Sequence, residues 1–396
     1  MRLSDARNLA ANAGKASGGA AALRIVHFFR SPVGGLFRHV RDLVTAQGAA
    51  GNPVGVICDS STGGALENKV LADTQPLLAL GLTRTPMRRQ IAPSDLAATW
   101  RLLRRTRSLD PDVLHAHGAK GGAYARVVGT LLRASGSRVA RIYSPHGGSL
   151  HHDARSLAGR VYFLVERVLG WMTDAFIFVS RYEADAYAAK VGRTRRPVSL
   201  VRNGLRPEEF EPVAPAPDAR DFLYIGMLRD LKGPDVFIAA LARIGERTGS
   251  APSALIVGAG DDKPRYQAMV ADLGLDERVA FRDPMPAREA FALARTVVVP
   301  SRAESMPYIV LETIAAGVPI VATRVGGIPE IFGDEAGVLV PPSDAAALAN
   351  GMSDVLVHPE VARQTAERLR AHVRATFTVA AMAEAVMTAY RAAIAD

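Results

Sequence analysis

In "TVVVPSRAESMPYIVLETIAAG", residues 296–317, an apolar, β-branched run gives way to a loop carrying Glu304 and then to a helix. The run 296–301 reads as a strand buried on both faces. Pro307 suits a first helical turn, where its missing N–H costs nothing. Met306, ahead of the proline, is pushed to an extended conformation, and Gly317 suits the C-terminal cap. The expected helix is 307–316, with Glu312 inside it. Strand, loop and helix in this order are the unit of a doubly wound parallel sheet, which binds its ligands at the carboxyl ends of its strands. A helix start supplies N–H groups and a partial positive charge that suit a phosphate. Carboxylates beside a phosphate are repelled by it, so Glu304 and Glu312 make sense as acceptors for hydroxyls on either side, a sugar at one and a ribose at the other. Two surface glutamates near a helix start fit the same letters.

The same alternation runs through the chain. Strands are expected at 24–29, 53–59, 112–118, 140–147, 175–180 and 198–204, then at 222–228, 254–260, 278–283, 296–301, 318–323 and 337–341. Between the two sets lies "RPEEFEPVAPAPDARD" (206–221), whose four prolines mark a linker. The architecture expected is therefore α/β, with two Rossmann-like doubly wound domains facing across a cleft. The boundaries are a flexible tail over 1–22, a first domain over 23–205, a second over 206–376, and a final helix over 377–396. In that last segment Met382, Val386, Met387, Tyr390 and Ile394 recur at helical spacing and predict a buried stripe.

Composition limits the classes. The 396 residues, 48% of them hydrophobic, suffice for two cores. A single cysteine, Cys58, excludes an internal disulfide and fits a reducing compartment. No apolar run is long enough to span a bilayer, and residues 1–22 lack the compact apolar stretch of a signal peptide. The expected location is the cytoplasm. Residues 1–210 hold 30 Lys and Arg against 15 Asp and Glu, and the remainder 18 against 24, so a half of net charge +15 precedes one of −6. The basic half suits an anionic surface or substrate as well as plain solvent.

Other short motifs bear on chemistry. "GMLRDLKGPD" (226–235) follows a strand and holds Arg229 and Lys232, cations able to balance a diphosphate without a metal; surface pairing with Asp230 or Asp235 is the plainer alternative. "SPVGGLFRHV" (31–40) places Gly34 and Gly35 after the first strand, where backbone N–H groups can approach a phosphate, or simply turn. His115 and His117 share a strand face, and His146 follows the next strand. A metal site including His151 or His152 lacks an acidic or cysteine ligand at suitable spacing, so no metal is expected. A polar role for His146 and a structural one for His115 are expected instead. "DPD" (110–112) stands at the amino end of a strand, away from cleft chemistry.

Taken in order, "GMLRDLKG", "IVGAGDD", "VVVPSRAESMPYIVLE" and "GVPIVATRVGGIPEI" resemble the retaining GT-B glycosyltransferases, most closely family four of the sequence-based classification (glycosyl transferases group 1). "GGLFRHV", "DVLHAHG" and "VRNGLRPEEF" match that family's amino-terminal half, and the resemblance covers about residues 24–395. It implies transfer of a sugar from a nucleoside diphosphate to an acceptor hydroxyl, with no cofactor or metal. It implies Glu304 on the donor sugar's hydroxyls, Glu312 on the ribose, Lys232 on the diphosphate and His146 at the reaction centre. Ser305, Met306, Pro307, Tyr308, Ile309, Gly258 and Gly260 join Gly34 and Gly35 on the donor side, and His117 and Arg38 fall on the acceptor side. The family's arginine directly after the glycine of this motif is Met227 here, and Arg229, two residues on, is expected to supply the charge. The implied acceptor is a glycan or lipid-linked molecule in cell-surface polysaccharide or glycolipid synthesis. Arg88, Arg89, Arg101, Arg104, Arg105 and Arg107 suggest contact with an anionic inner-membrane surface. An epimerase or hydrolase of the same fold is the alternative. A nicotinamide oxidoreductase is disfavoured because no G-x-G-x-x-G follows the first strand, and nucleic acid because basic and aromatic residues do not interleave.

Overall fold

The computed structural model describes residues 21–395 apart from Arg89 and Ile91, and leaves the side chains of Ala65, Leu66 and His151 undescribed. The expected tail thus lies outside the described residues except for Ala21 and Ala22. The chain divides into two compact units, one ending at Gly204 and taken up again at Val379, the other running Leu205–Thr378.

In the first unit the strands are β1 (Ile25–Phe29), β2 (Val54–Asp59), β3 (Gly81–Thr85), β4 (Val113–His117), β5 (Ala140–Ser144), β6 (Ala175–Phe178) and β7 (Val198–Leu200). They form one parallel sheet in the order β3-β2-β1-β4-β5-β6-β7. β1, β2, β4, β5 and β6 are buried at every residue, as expected of strands covered on both faces. β3, "GLTRT", was not expected. It is an edge strand with few apolar residues, and its register comes from pairing with β2. The final helix, Val379–Ala395, packs Met382, Val386, Met387 and Tyr390 against Ile25, Leu43, Val113, Ala140 and Ile177. Ile394 departs from the expected stripe and stays 43% exposed.

In the second unit β8 (Arg220–Ile225), β9 (Ala254–Val257), β10 (Val279–Arg282), β11 (Ala294–Val299) and β12 (Ile320–Ala322) form a parallel sheet in the order β10-β9-β8-β11-β12. The strand expected at 337–341 is absent. A 3₁₀ segment, Gly333–Val338, stands there instead, followed by a single bridge of Val340 to Thr323. The proline-rich stretch 206–221 is not a free linker. Phe210 is buried, and Val213 and Ala216 donate to the carbonyls of Ala316 and Ala292. The guanidinium of Arg288 holds the Glu209 and Glu211 carbonyls. The prolines limit conformational loss in a segment that the second unit then pins.

Strand order reverses between β1 and β4 in one sheet and between β8 and β11 in the other, so the crevices that favour ligands lie at the carboxyl ends of those pairs. Two glycines shape the second. Gly233 has φ +69°, and a Cβ there would meet the Pro300 carbonyl oxygen at 2.1 Å. Gly326 has φ +59°, and a Cβ would meet the Glu304 carbonyl oxygen at 1.9 Å. The loops after β8 and β12 therefore press backbone to backbone on the loop after β11. Gly326→Ala is expected to cost roughly 2–3 kcal/mol of second-unit stability through strain and collision. Gly249→Ala, with φ +81° and open space around the new methyl, costs only about 1 kcal/mol of left-handed strain. Chemical denaturation of the two variants measures the difference, and equal losses would contradict the close approach.

Candidate active site

β8 delivers the chain into "GMLRDLKGPD" and β11 into "PSRAESMP". In the folded chain these loops meet: Lys232 Nζ lies 2.5 Å from Glu304 Oε1, and Ser301 Oγ donates to the same oxygen at 2.8 Å. Glu304 is buried and Lys232 half-buried. The two residues that sequence assigns to sugar and diphosphate thus hold each other across 72 positions of chain. The expected alternative, pairing of Arg229 or Lys232 with Asp230 or Asp235, is corrected by the structure. Asp230 takes Arg265 and the Tyr266 hydroxyl. Asp235 takes a two-pronged bond from Arg302, at 2.8 and 2.6 Å. Arg302 also donates from its backbone to the Leu231 carbonyl at 2.9 Å. It is a brace between the two loops that sequence reasoning missed, although its position beside Ser301 was in view. Arg229 is left with a buried Nε that has no partner, and Met227, where the family has arginine, is 51% exposed. A buried guanidinium nitrogen without an acceptor is costly in isolation and is relieved by an anion.

The helix after Glu304 runs Tyr308–Ala315, with Pro307 extended at the cap rather than inside the first turn (φ −75°, ψ 126°). Pro307 lacks an N–H, so the first amides of the helix belong to Tyr308, Ile309 and Val310. Ser305 and Met306 complete the loop. The Ser305 carbonyl accepts from the Gly327 N–H at 2.7 Å, a second tie from the loop after β12. Glu312 lies one turn into the helix and is half-buried, and Gly317 (φ +71°) closes the other end as expected. Gly258 and Gly260 have a packing reason: a Cβ on either would collide with the Gly226 or the Leu228 carbonyl oxygen. They let the β9 loop lie against the β8 loop that carries Arg229.

At the β1/β4 crevice of the first unit, Gly34 (φ +66°) opens the helix Gly34–Ala49 and Gly118 (φ +68°) opens Gly118–Ala134. Gly34 and Gly35 are exposed there. Beneath them five histidines gather: His27, His39, His115, His117 and His146. Their assembly follows from register, since His27 of β1 pairs with His115 of β4. Period-two alternation adds His117, and the loop after β5 adds His146. His27 and His39 were not expected; one lies mid-strand in "IVHFF" and the other on a helix, and neither reads as polar chemistry from local sequence. His117 is fully buried, with one nitrogen 2.9 Å from His27 and the other 3.0 Å from His146. It also borders a cavity shared with His146 and Gly118. Arg38, one residue from His39, pairs with Asp42. His152 stacks on Tyr162 instead of joining the cluster, and the His151 side chain lies outside the described residues.

Hydrogen bonding orders the cluster. Gln47 Oε1 faces His27 Nε2 at 2.8 Å, so that nitrogen donates and Nδ1 accepts from His117 Nε2. His117 Nδ1 then accepts from His146 Nε2. Tyr390, from the last helix, contacts His115 Nδ1 at 2.6 Å, and His115 Nε2 contacts Ser144 at 2.8 Å. The ligand atoms of His27, His115 and His117, and of His39, His117 and His146, lie within 4.8 Å of one another. The 2.9 and 3.0 Å separations along the chain are those of hydrogen bonds, shorter than the about 3.3 Å between two imidazole nitrogens on one tetrahedral zinc. His146 has φ +50°, and Gly147 and Gly148 continue with positive φ. The Glu183 carboxylate holds this turn by accepting from the Gly147 and Val179 N–H groups. A cavity of about 320 Å³ opens beside His146, Gly118 and Lys120.

Burial pushes His27 and His146 down to about 4, and burial with mutual repulsion holds His39, His115 and His117 well below the ordinary imidazole range. All five are neutral at pH 7. Unfolding restores an ordinary pKa near 6.5, so the unfolded chain binds more protons as pH falls below that value. Stability is expected to drop between about pH 6.5 and 4, by about 1.4 kcal/mol per pH unit for each histidine kept neutral. Nitrogen-15 spectra at pH 5.5 are expected to show His27, His117 and His146 as neutral Nε2–H tautomers; imidazolium signals from these rings would contradict the ordering.

Comparison with known proteins bears on the family and the fold. The model of "Glycosyltransferase Family 4" matches residues 33–209 and that of "Glycosyl transferases group 1" matches residues 206–372. A D-inositol 3-phosphate glycosyltransferase of Saccharomonospora viridis is 28% identical over 340 residues, 78% of either chain. A glycogen synthase of Mycobacterium tuberculosis is 27% identical over 389 residues, covering 91% of this chain and 92% of that protein. Among solved structures, a sucrose-phosphate synthase from Thermosynechococcus elongatus superposes with a TM-score of 0.75 at 23% identity, covering 94% of this chain and 99% of that one. HepE of Anabaena, solved with UDP and glucose, gives 0.75 at 17% identity over 92% of this chain and 98% of that one. The chain belongs to the group 1 glycosyltransferases and has their GT-B fold.

Proposed function

We propose that this glycosyltransferase moves a sugar from a nucleoside diphosphate to an acceptor hydroxyl with retention of anomeric configuration and without a divalent ion. The observation that carries the reading is the contact of Lys232 with Glu304 at the β8/β11 crevice, beside the unpartnered Nε of Arg229. As the bond from the anomeric carbon to the diphosphate breaks, negative charge grows on the leaving group. Lys232, Arg229 and the helix start after Pro307 meet that charge as it develops. Glu304, already oriented by Ser301 and Lys232, accepts from sugar hydroxyls, and Glu312 from the ribose. The acceptor oxygen bonds to the anomeric carbon on the face that the phosphate leaves, and its proton passes to a departing phosphate oxygen.

His146 is proposed as the reaction-centre histidine, positioned by its left-handed backbone and the His117 hydrogen bond. Gly34 and Gly35 are proposed to approach the diphosphate with their backbone. On this reading the acceptor is a glycan or lipid-linked molecule met in the cytoplasm or at the inner face of the membrane, in polysaccharide or glycolipid synthesis. The neighbour solved with UDP and glucose makes a nucleotide sugar the donor to try first. An epimerase or hydrolase is not favoured by the relatives, which are named as transferases and synthases.

Glu304→Ala is expected to lower turnover by two to three orders of magnitude, comparable to loss of one preorganised transition-state contact, with the fold retained. Arg229→Ala is expected to weaken donor binding, and activity is expected to survive chelation of divalent ions. A thermal-shift screen with UDP-, GDP- and ADP-sugars identifies the donor, after which product anomers are read by NMR. Near-normal transfer by Glu304→Ala, or an absolute requirement for magnesium or manganese, would overturn the assignment.

A further inference from the structure

The helix Leu157–Trp171 has an outer face unlike a solvated one. Leu157 (78%), Val161 (48%), Leu164 (59%), Val168 (42%) and Trp171 (75%) are all exposed, at steps of four, three, four and three residues. That spacing is a continuous stripe along a helix about 22 Å long. Its inner face is fastened. Phe163 and Leu169 are buried, and Glu166 beneath them binds Arg126 at 2.9 Å and the Tyr143 hydroxyl at 2.9 Å. The stripe is therefore presented by a rigid element.

At its C-terminal end lies a cavity of about 620 Å³ walled by Arg167, Arg193, Arg195 and Arg196, with Trp171 and Phe176, and no carboxylate lines it. Nearby acids are spent elsewhere, Glu166 on Arg126 and Asp174 on Arg133 and Arg141. Arg160 is exposed on the flank of the same helix. Four guanidinium groups converging beside an exposed indole and an apolar stripe match an amphiphile with an anionic head and an apolar body.

We propose that this face docks on an anionic lipid bilayer, with the apolar stripe in the interfacial zone and a lipid headgroup phosphate in the arginine-walled cavity. The charge selects this occupant over a second copy of the chain, since the cavity lining repeated by a second copy holds no carboxylate to offer these arginines, whereas an anionic headgroup supplies a phosphate. The surface differs from the one suggested by Arg101, Arg104, Arg105 and Arg107. There Arg105 and Arg107 are drawn to Thr83 and Ser135, and Arg89 lies outside the described residues. The inference stands apart from the assignment of the donor site: vesicle binding reads this face and nucleotide-sugar binding reads the other unit, so either can fail alone.

The test is sedimentation of the full chain with phosphatidylglycerol-containing vesicles and with pure phosphatidylcholine vesicles, at low and high salt. Binding is expected only to the anionic vesicles, falling at least tenfold at high salt. Leu164→Glu and Trp171→Ala are expected to weaken it about tenfold, and Arg195→Gln and Arg196→Gln about fivefold each. These exposed positions leave the melting temperature nearly unchanged. In a Trp100→Phe background, Trp171 is the sole indole and its emission is expected to shift to the blue on binding. Three results would overturn the proposal: binding indifferent to Leu164→Glu; stabilisation by inorganic phosphate with no vesicle binding, which makes the cavity a site for a free anion; or a wild-type dimer that Leu164→Glu dissociates, with vesicles ignored.

Discussion

A carboxylate largely removed from water and held against an ammonium group is the constraint around which the second unit is arranged. Lys232 and Ser301 both serve one oxygen of Glu304. Breaking such a pair from one side leaves a charge without compensation, which is why the surrounding structure is so fully committed to it. Gly326 brings the loop after β12 onto the Glu304 backbone, and Gly233 brings the loop after β8 onto Pro300. Arg302 clamps the two loops through Asp235 and the Leu231 carbonyl. The site is built from side chains whose positions are decided by backbone contact.

The sequence made the two parallel sheets legible because strands buried on both faces are written as unbroken apolar runs. It failed where tertiary context decides. β3 has an arginine and two threonines in five residues and is a strand only because β2 offers it a ladder. "GVLVP" reads as a strand and has only a single bridge near it. The proline-rich stretch 206–221 looked free because composition records rigidity and polarity but not the carbonyls waiting on neighbouring elements. Unit breaks fall at Gly204 and at Thr378.

In the candidate site the legible part was local. Glu304, Lys232, Gly34 and His146 stand at strand ends, where position in the motif already implies exposure to a crevice. What escaped was pairwise. Nothing in "GMLRDLKGPD" tells that Asp235 belongs to Arg302 rather than to Lys232. Nothing in "IVHFF" tells that its histidine meets one 90 residues away. Polar groups inside a core are identified by their partners, and partners are set by register. Five neutral imidazoles in one cluster also explain how a buried polar network coexists with strands that otherwise read as hydrophobic: each ring is half apolar, and its hydrogen bonds go to another histidine or to Gln47, Asn203, Ser144 or Tyr390.

Tyr390 gives the network an unusual dependence on the order of synthesis. Its hydroxyl closes the contact with His115, and its helix covers Ile25, Val113 and Ile177, yet it follows the whole second unit in sequence. A ribosome has to complete the whole second unit, Leu205–Thr378, before the first sheet receives its last covering element. At about 5–20 residues per second this leaves an apolar face of the nascent protein uncovered for about ten seconds or more. The second unit, continuous in sequence, can mature during that interval, whereas the first-made half is the last to be completed and the one most in need of shielding by a chaperone.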